Sequence, residues 1–298
     1  MRPRVGRAYA VMAVLLASAI AIQVVRDRGW APYQPESSVM WLRSGPIAER
    51  VALSFDDLVA DAYWIRAVVY YGGRRRAETK RTYEQLYPLL DLVTSLDPHF
   101  KAAYRFGALF LSEPPPGGPG RPDQAIAILE RAVERDGDWE YYEDIGFVHY
   151  WWRHDYKAAA EWFKRAGEQP GAPSWLLGLA ATTMAVGGSR ESSRQLWTEL
   201  YNNVDAAYIR GQAEHRLKQL DAMDTIDMIT AALQRFRERA GRMPQSWQEL
   251  AVAERWRSIP VDPAGVPFVV DATTGKVDVS KNSAMWPLPS EPARMPAR

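Results

Sequence analysis

Three columns of residues recur along this chain at a fixed period, and no other feature of the sequence restricts its fold as strongly. Leu86, Ala125, Ala159 and Ser193 form the first column; Leu90, Leu129, Phe163 and Trp197 the second; Val93, Ala132, Ala166 and Leu200 the third. Successive members are 39, 34 and 34 residues apart in every column, and within each repeat the three positions stand at i, i+4 and i+7. That spacing is one face of an α-helix, and its recurrence signals a repeat architecture. The longer interval contains Pro114-Pro115-Pro116-Gly117-Gly118-Pro119-Gly120. Such a run cannot continue a helix, so it is read as a loop inserted between paired helices.

Residues ahead of the columns extend the pattern. Phe106-Gly107, Ile145-Gly146 and Leu177-Gly178 each place a large apolar residue before a glycine, and Leu96-Asp97-Pro98 offers a turn at the close of a repeat. With Ala125, Ala132, Ala159, Phe163 and Ala166, these residues make the stretch 54–220 resemble the tetratricopeptide (TPR) family. That family's unit is a 34-residue helical hairpin with small residues where the two helices cross. The first repeat departs from the pattern in lacking a clear glycine, and the fourth in carrying Ser193 and Leu200 in place of alanines. The resemblance implies a mainly α fold, a superhelix of about four helical hairpins over 54–221 whose first helices build a concave binding face. It places the partner-binding residues at first-helix positions flanking each glycine: Tyr104, Glu143, Phe147, Tyr150, Trp151 and Trp175.

Local chemistry agrees with hairpins. Ser54 precedes Asp56 and Asp57 as a hydroxyl cap followed by first-turn acids, while Asp155 and Ser189 are placed to cap the helices carrying Ala159 and Ser193. Gly137 and Gly187-Gly188 break the chain where turns are required.

At the amino terminus, Arg2, Arg4 and Arg7 precede an apolar run, 8–25, broken only by Ser18 and Gln23 and closed by Arg26-Asp27-Arg28. Its helical length would be roughly 27 Å, close to a bilayer's hydrocarbon thickness. Residues 1–28 are therefore expected to form a single transmembrane anchor, followed by a linker over 29–53. Small-x-small patterns at Ala17-Ser18-Ala19 and Ala19-Ile20-Ala21 offer the alternative of a cleaved signal peptide, but the apolar character continues past both. Positive charge before the run favours a cytoplasmic start and an exported, periplasmic bulk.

From Ala222, a helix carrying Ile226, Ile229, Leu233 and Phe236 on one side runs to Gly241-Arg242-Met243-Pro244, and Ser246-Trp247-Gln248-Glu249 reads as a capping box. Pro267-Phe268-Val269-Val270 and Lys276-Val277-Asp278-Val279 then flank Asp271-Ala272-Thr273-Thr274-Gly275 as a β-hairpin. The region 222–288 is thus expected to be a small α+β cap, with a disordered Pro- and Arg-rich tail over 289–298. The string Gly241-x-x-Pro244, the Trp247-x-x-Leu250 helix, Asp262-Pro263-x-Gly265-x-Pro267-Phe268 and the hairpin resemble the soluble tail of type II secretion pseudopilins and minor pilins. Ala264 stands where that family has a large residue, and the apolar segment lies some two hundred residues away. The resemblance implies an assembly role; it also brings calcium to mind, but Asp262, Asp271 and Asp278 have no specific ligand spacing.

Chemistry-bearing motifs are scarce. There are no cysteines, the four histidines His99, His149, His154 and His215 are scattered, and no phosphate-loop, nucleophile-elbow or zinc pattern occurs. A net charge of +1 provides no field to collect nucleic acid. Arg74-Arg75-Arg76, with Lys80 and Arg81, is the largest basic cluster and is read as a solvated loop. The expected function is a membrane-anchored scaffold, without cofactor or catalytic centre, that binds protein partners in assembling a pilus- or secretion-like envelope machine. The alternative is an accessory subunit that stabilises a membrane transporter or enzyme complex.

Overall fold

All twelve members of the three columns are buried, none more than 3% exposed. Their side chains form the inner face of one helix in each successive hairpin. The computed structural model describes residues 12, 14–25, 52–77, 82–203, 206–271 and 274–290, and is mainly helical with a small two-stranded sheet near the carboxy terminus. Residues 14–25 of the expected anchor are helical and exposed, while 8–11 and 13, most of the linker 29–53 and most of the tail 289–298 lie outside the described residues. Among the described residues, no helix is long and apolar enough to cross a membrane.

The described residues up to Asp97 form one compact unit and those from Pro98 onward a second. In the first, α1 (Asp56–Arg76) packs on α2 (Leu86–Leu96). Ala60 and Ala67 are fully buried on α1, whereas a Cβ on Gly72 would meet nothing within 4 Å, so alanine supplies the small buried residues of this helix. Tyr70 donates its hydroxyl to the Thr82 carbonyl at 3.3 Å and accepts from the Gln85 amide at 3.4 Å. Two local expectations are corrected here. Ser54 does not cap α1: it lies in the left-handed region at φ +74°, and the N-cap position passes to Phe55 without a side-chain bond. Arg74, Arg75 and Arg76 form the last turn of α1 and not a loop, where the helix dipole favours cations; Lys80 and Arg81 lie outside the described residues.

In the second unit, α3 (Lys101–Ser112), α4 (Pro122–Asp136), α5 (Trp139–Val148), α6 (Tyr156–Gly167), α7 (Trp175–Val186), α8 (Arg190–Asn203) and α9 (Ala207–Ala240) pack each on the next. First helices of neighbouring hairpins also meet, α3 with α5 and α7 with α9. Glycine permits the crossings. A Cβ on Gly146 would lie 2.5 Å from the Phe163 ring, and one on Gly178 would lie 3.1 Å from Trp197, so each glycine receives a second-column side chain. Ser193, where alanine was expected, donates its buried hydroxyl to the Ala181 carbonyl at 2.7 Å, which satisfies the polar atom inside the crossing. Asp155 caps α6 by accepting from the Ala158 amide at 3.0 Å. The Pro/Gly insertion is a loop between α3 and α4, closed by bonds from the Gly120 amide to the Glu113 carbonyl and from the Arg121 amide to the Leu111 carbonyl.

α9 is one uninterrupted helix that serves two cores. Ala213 and Leu220 pack with α6, α7 and α8, whereas Ala222, Ile229, Leu233 and Phe236 pack with Leu250, Phe268, Val277 and Val279. The change of core at 220–222 therefore occurs without a break in the backbone. Beyond it, α10 (Trp247–Ala253) is capped by Ser246, which accepts from the Glu249 amide at 3.2 Å; the expected capping box is completed one residue early, since the Glu249 carboxylate accepts from the Gln245 amide, at 2.6 Å, and not from that of Ser246. β1 (Val269–Val270) and β2 (Val277–Asp278) pair antiparallel, Val269 opposite Asp278 and Val270 opposite Val277. The turn between them needs Gly275 at φ +71° and is tied by the Thr274 amide to the Asp271 carboxylate at 2.7 Å. Asp262 is buried, and its oxygens accept from the Ala264 and Val266 amides and the Ser283 hydroxyl. Its carboxylate is thus consumed in holding the loop.

Candidate functional site

The first helices α3 and α5 enclose a groove of about 760 Å³ on the second unit. α3 contributes Lys101, Arg105, Phe106 and Leu109; α5 contributes Glu140, Asp144, Phe147 and Val148; Trp151 and Trp152 complete one end. The tryptophans are carried on a single π-turn, His149–Arg153, that prolongs α5. Its wider winding brings consecutive residues closer to one face than an α-helix does, so both indoles reach the groove. His154 ends the turn in the left-handed region at φ +51°, and the Asp155 amide closes it on the His149 carbonyl at 3.0 Å.

Charge is concentrated at the other end. The Arg105 guanidinium grips Asp144 with two bonds of 2.5 and 3.1 Å and reaches Glu140 at 2.8 Å and Glu143 at 3.5 Å. Lys101 binds Asp138 at 2.7 Å and also pairs with Glu140. Two cations thus meet four carboxylates, and of these groups Lys101, Arg105, Glu140 and Asp144 line the groove, two of each sign. Burial raises Asp144 above its ordinary value and outweighs the bond from Arg105 that opposes it. Glu143 is raised by burial first and then by Asp144. Arg105 is in turn held above its usual range, chiefly by the bond to Asp144.

The six residues expected to bind a partner do not share one surface. Phe147 and Trp151 line the groove. Tyr104 does not: it is 1% exposed and meets Tyr141 edge-on, with ring centroids 5.8 Å apart. Glu143 is buried beside Arg105, and Tyr150 is half-buried against Tyr156 and Phe163. Trp175 is exposed at the start of α7 and lies outside this groove. The reason is helical geometry. Each glycine faces the second helix of its hairpin, and residues three before or four after it share that face. Tyr104, Glu143 and Tyr150 occupy such positions relative to Gly107 and Gly146. The groove face instead follows positions six and two before the glycine and two after it: Lys101, Arg105 and Leu109 on α3, and Glu140, Asp144 and Val148 on α5. One sequence signal could have found it, because Lys101 and Glu140, and likewise Arg105 and Asp144, stand at the 39-residue interval with opposite charges.

His149, at the start of the π-turn, is 7% exposed and its Nδ1 has no hydrogen-bond partner among the described residues. Burial first, and then Arg153, lowers it below its ordinary value of 6.5. The neutral ring is therefore favoured in the fold, and its contribution to stability is present above pH 6.5 and lost as pH falls from there through the lowered value. Urea denaturation between pH 7.5 and 5.5 should show stability falling on the acid side, with the fall flattened in His149→Met; an unchanged slope in that variant would refute the assignment. Glu143 and Asp144 act oppositely. Their raised values mean that stability is fullest below the ordinary 4.5 and 3.8 and declines as pH rises through the raised values.

No family model, no curated protein and no solved structure matches this chain.

Proposed function

We propose that this chain is a membrane-anchored, exported scaffold of tetratricopeptide-type hairpins that holds an extended segment of a partner protein in the groove between α3 and α5, within a pilus- or secretion-like envelope machine. The 39- and 34-residue periods, the buried columns and the glycine crossings support the repeat assignment. The apolar run 8–25 with its basic flank supports the anchor. The pseudopilin-like residues of the tail support the kind of machine.

The observation that carries the binding role is the groove's composition. Phe106, Leu109 and the two exposed or half-exposed indoles Trp151 and Trp152 form an apolar wall beside a row of paired charges, Lys101, Arg105, Glu140 and Asp144. Such a surface suits a peptide in which large apolar side chains alternate with charges of both signs: the ring or alkyl group buries against tryptophan while the charges meet the row of Lys101, Arg105, Glu140 and Asp144.

The test pairs affinity capture from solubilised host membranes with peptide binding. The chain should capture a machine component that is lost in Phe106→Ala/Trp151→Ala at unchanged helical circular dichroism. An acetylated Lys-Phe-Glu-Phe peptide should bind more tightly than Lys-Ala-Glu-Ala, and less tightly as salt rises. Equal binding of the two peptides, or capture indifferent to the groove variant, would refute the groove's role. A chain found only in the soluble fraction would remove the anchor.

A further inference from the structure

A second concavity, of about 530 Å³, lies where the first turns of α9 meet the carboxy-terminal segment. Gln219 creates the junction: buried on α9, it donates its amide to the carbonyls of Met285, at 2.8 Å, and Pro287, at 2.9 Å. This brings Trp286 alongside Tyr208, Gln212, His215 and Arg216.

Arg216 is half-buried, and its one hydrogen bond among the described residues goes to the Gln219 side-chain oxygen, at 2.7 Å. No carboxylate among the described residues approaches it, unlike Arg105, Arg190, Arg194, Arg235, Arg239 and Arg242, each of which is paired with one. Burial accordingly lowers Arg216 below the ordinary arginine value, with no opposing charge to restore it. A guanidinium has five N–H donors, and removing it from water without an anion is costly. The neighbouring cations do not relieve this. Lys218 is occupied by Glu214 at 2.6 Å, and His215 is held low by burial, Arg216 and Lys218, which favours a neutral ring with one N–H to donate.

Gly211 is an independent sign. It stands inside a 34-residue helix on the pocket's surface, and a Cβ there would meet nothing within 4 Å. Glycine in a helix interior costs about 1 kcal/mol relative to alanine, and here no packing or turn requires it. Its effect is to keep the floor beside Arg216 open.

We propose that this pocket is a binding site, separate from the α3–α5 groove, for the carboxylate of an acidic peptide segment. The planar guanidinium fork suits a carboxylate. Tyr208 and Trp286, 74% and 48% exposed, flank the pocket as apolar surfaces against which the rest of the segment can lie.

The test uses the full chain in detergent micelles and a fluorescein-labelled pentaglutamate peptide, read by anisotropy. Saturable binding is expected, uncontested by pentaglutamine. Arg216→Met should weaken it about tenfold or more, the loss of a charge-assisted bond. Gly211→Leu should weaken it similarly while the melting temperature does not fall, because leucine favours the helix and fills only the pocket. Phe106→Ala/Trp151→Ala should leave it unchanged, which separates this site from the groove. Absence of saturable binding, equal binding in both pocket variants, or loss in the groove variant would overturn the proposal. Displacement by inorganic phosphate at concentrations matching the peptide would also overturn it, by making the pocket a site for a small free oxyanion.

Discussion

Replacing Phe163 by alanine is expected to destabilise the second unit by about 3–5 kcal/mol, the range for deleting a fully buried aromatic ring. Phe163 is 0% exposed, fills the space left by Gly146, and meets Phe147 edge-on at 5.0 Å between centroids. The converse change, Gly146→Ala, drives a methyl group into the same ring and should cost about 1–3 kcal/mol. The informative measurement is the double-mutant cycle by urea denaturation. With the ring removed, the methyl at 146 occupies part of the cavity, so the double variant should be more stable than the two single costs predict. Strict additivity would mean that glycine and ring do not share one space, and the repeat assignment would lose its best structural support.

Arg105→Met is expected to cost about 2–4 kcal/mol, somewhat below the penalty for breaking a fully buried ion pair because the guanidinium is partly exposed. The guanidinium binds Asp144, Glu140 and Glu143, whose side chains are 19%, 21% and 10% exposed. Once it is removed, Lys101, bound to Asp138 and Glu140, is the cation left beside them among the described residues. Asp144 and Glu143, already raised, should be raised further, so the loss should be largest near neutral pH and shrink as pH falls and the carboxyls take up protons. Adding Asp144→Asn to Arg105→Met should recover part of the stability. A loss independent of pH would assign Arg105 to packing through its alkyl stem and not to charge. Because Arg105 joins α3 to α5, its removal should also loosen one hairpin against the next.

These two predictions differ in how far the sequence alone leads to them. Phe163 is legible because a helix repeats its face every three or four residues, so a column of apolar residues at i, i+4 and i+7 has to be an inner face wherever the helix lies. The same applies to the hairpin at 269–278, where alternation and a glycine-bearing turn fix the pairing. Arg105 is not legible in that way. Alone it is one arginine among many, and its role depends on α5 delivering three carboxylates from some 35–39 residues away.

The sequence by itself determined the period, the identity of the buried columns, the glycines at the crossings, the Pro/Gly loop and the Ser246 cap of α10, because each depends on local backbone preference or on helical repetition. Tertiary structure decided which side of the first helices forms the groove, a side marked in the sequence only by opposite charges at the 39-residue interval. A glycine marks the crossing face, and residues spaced three or four from it, such as Tyr104 and Tyr150, turn inward with it; aromatic character could not distinguish them from Trp151. It decided that His149–Arg153 winds as a π-turn, that α9 runs unbroken between two cores, and that Arg216 lines one pocket with Trp286, roughly seventy residues further along the chain. Those outcomes depend on which surfaces meet, and a periodic pattern specifies the face of a helix but not the neighbour it will touch.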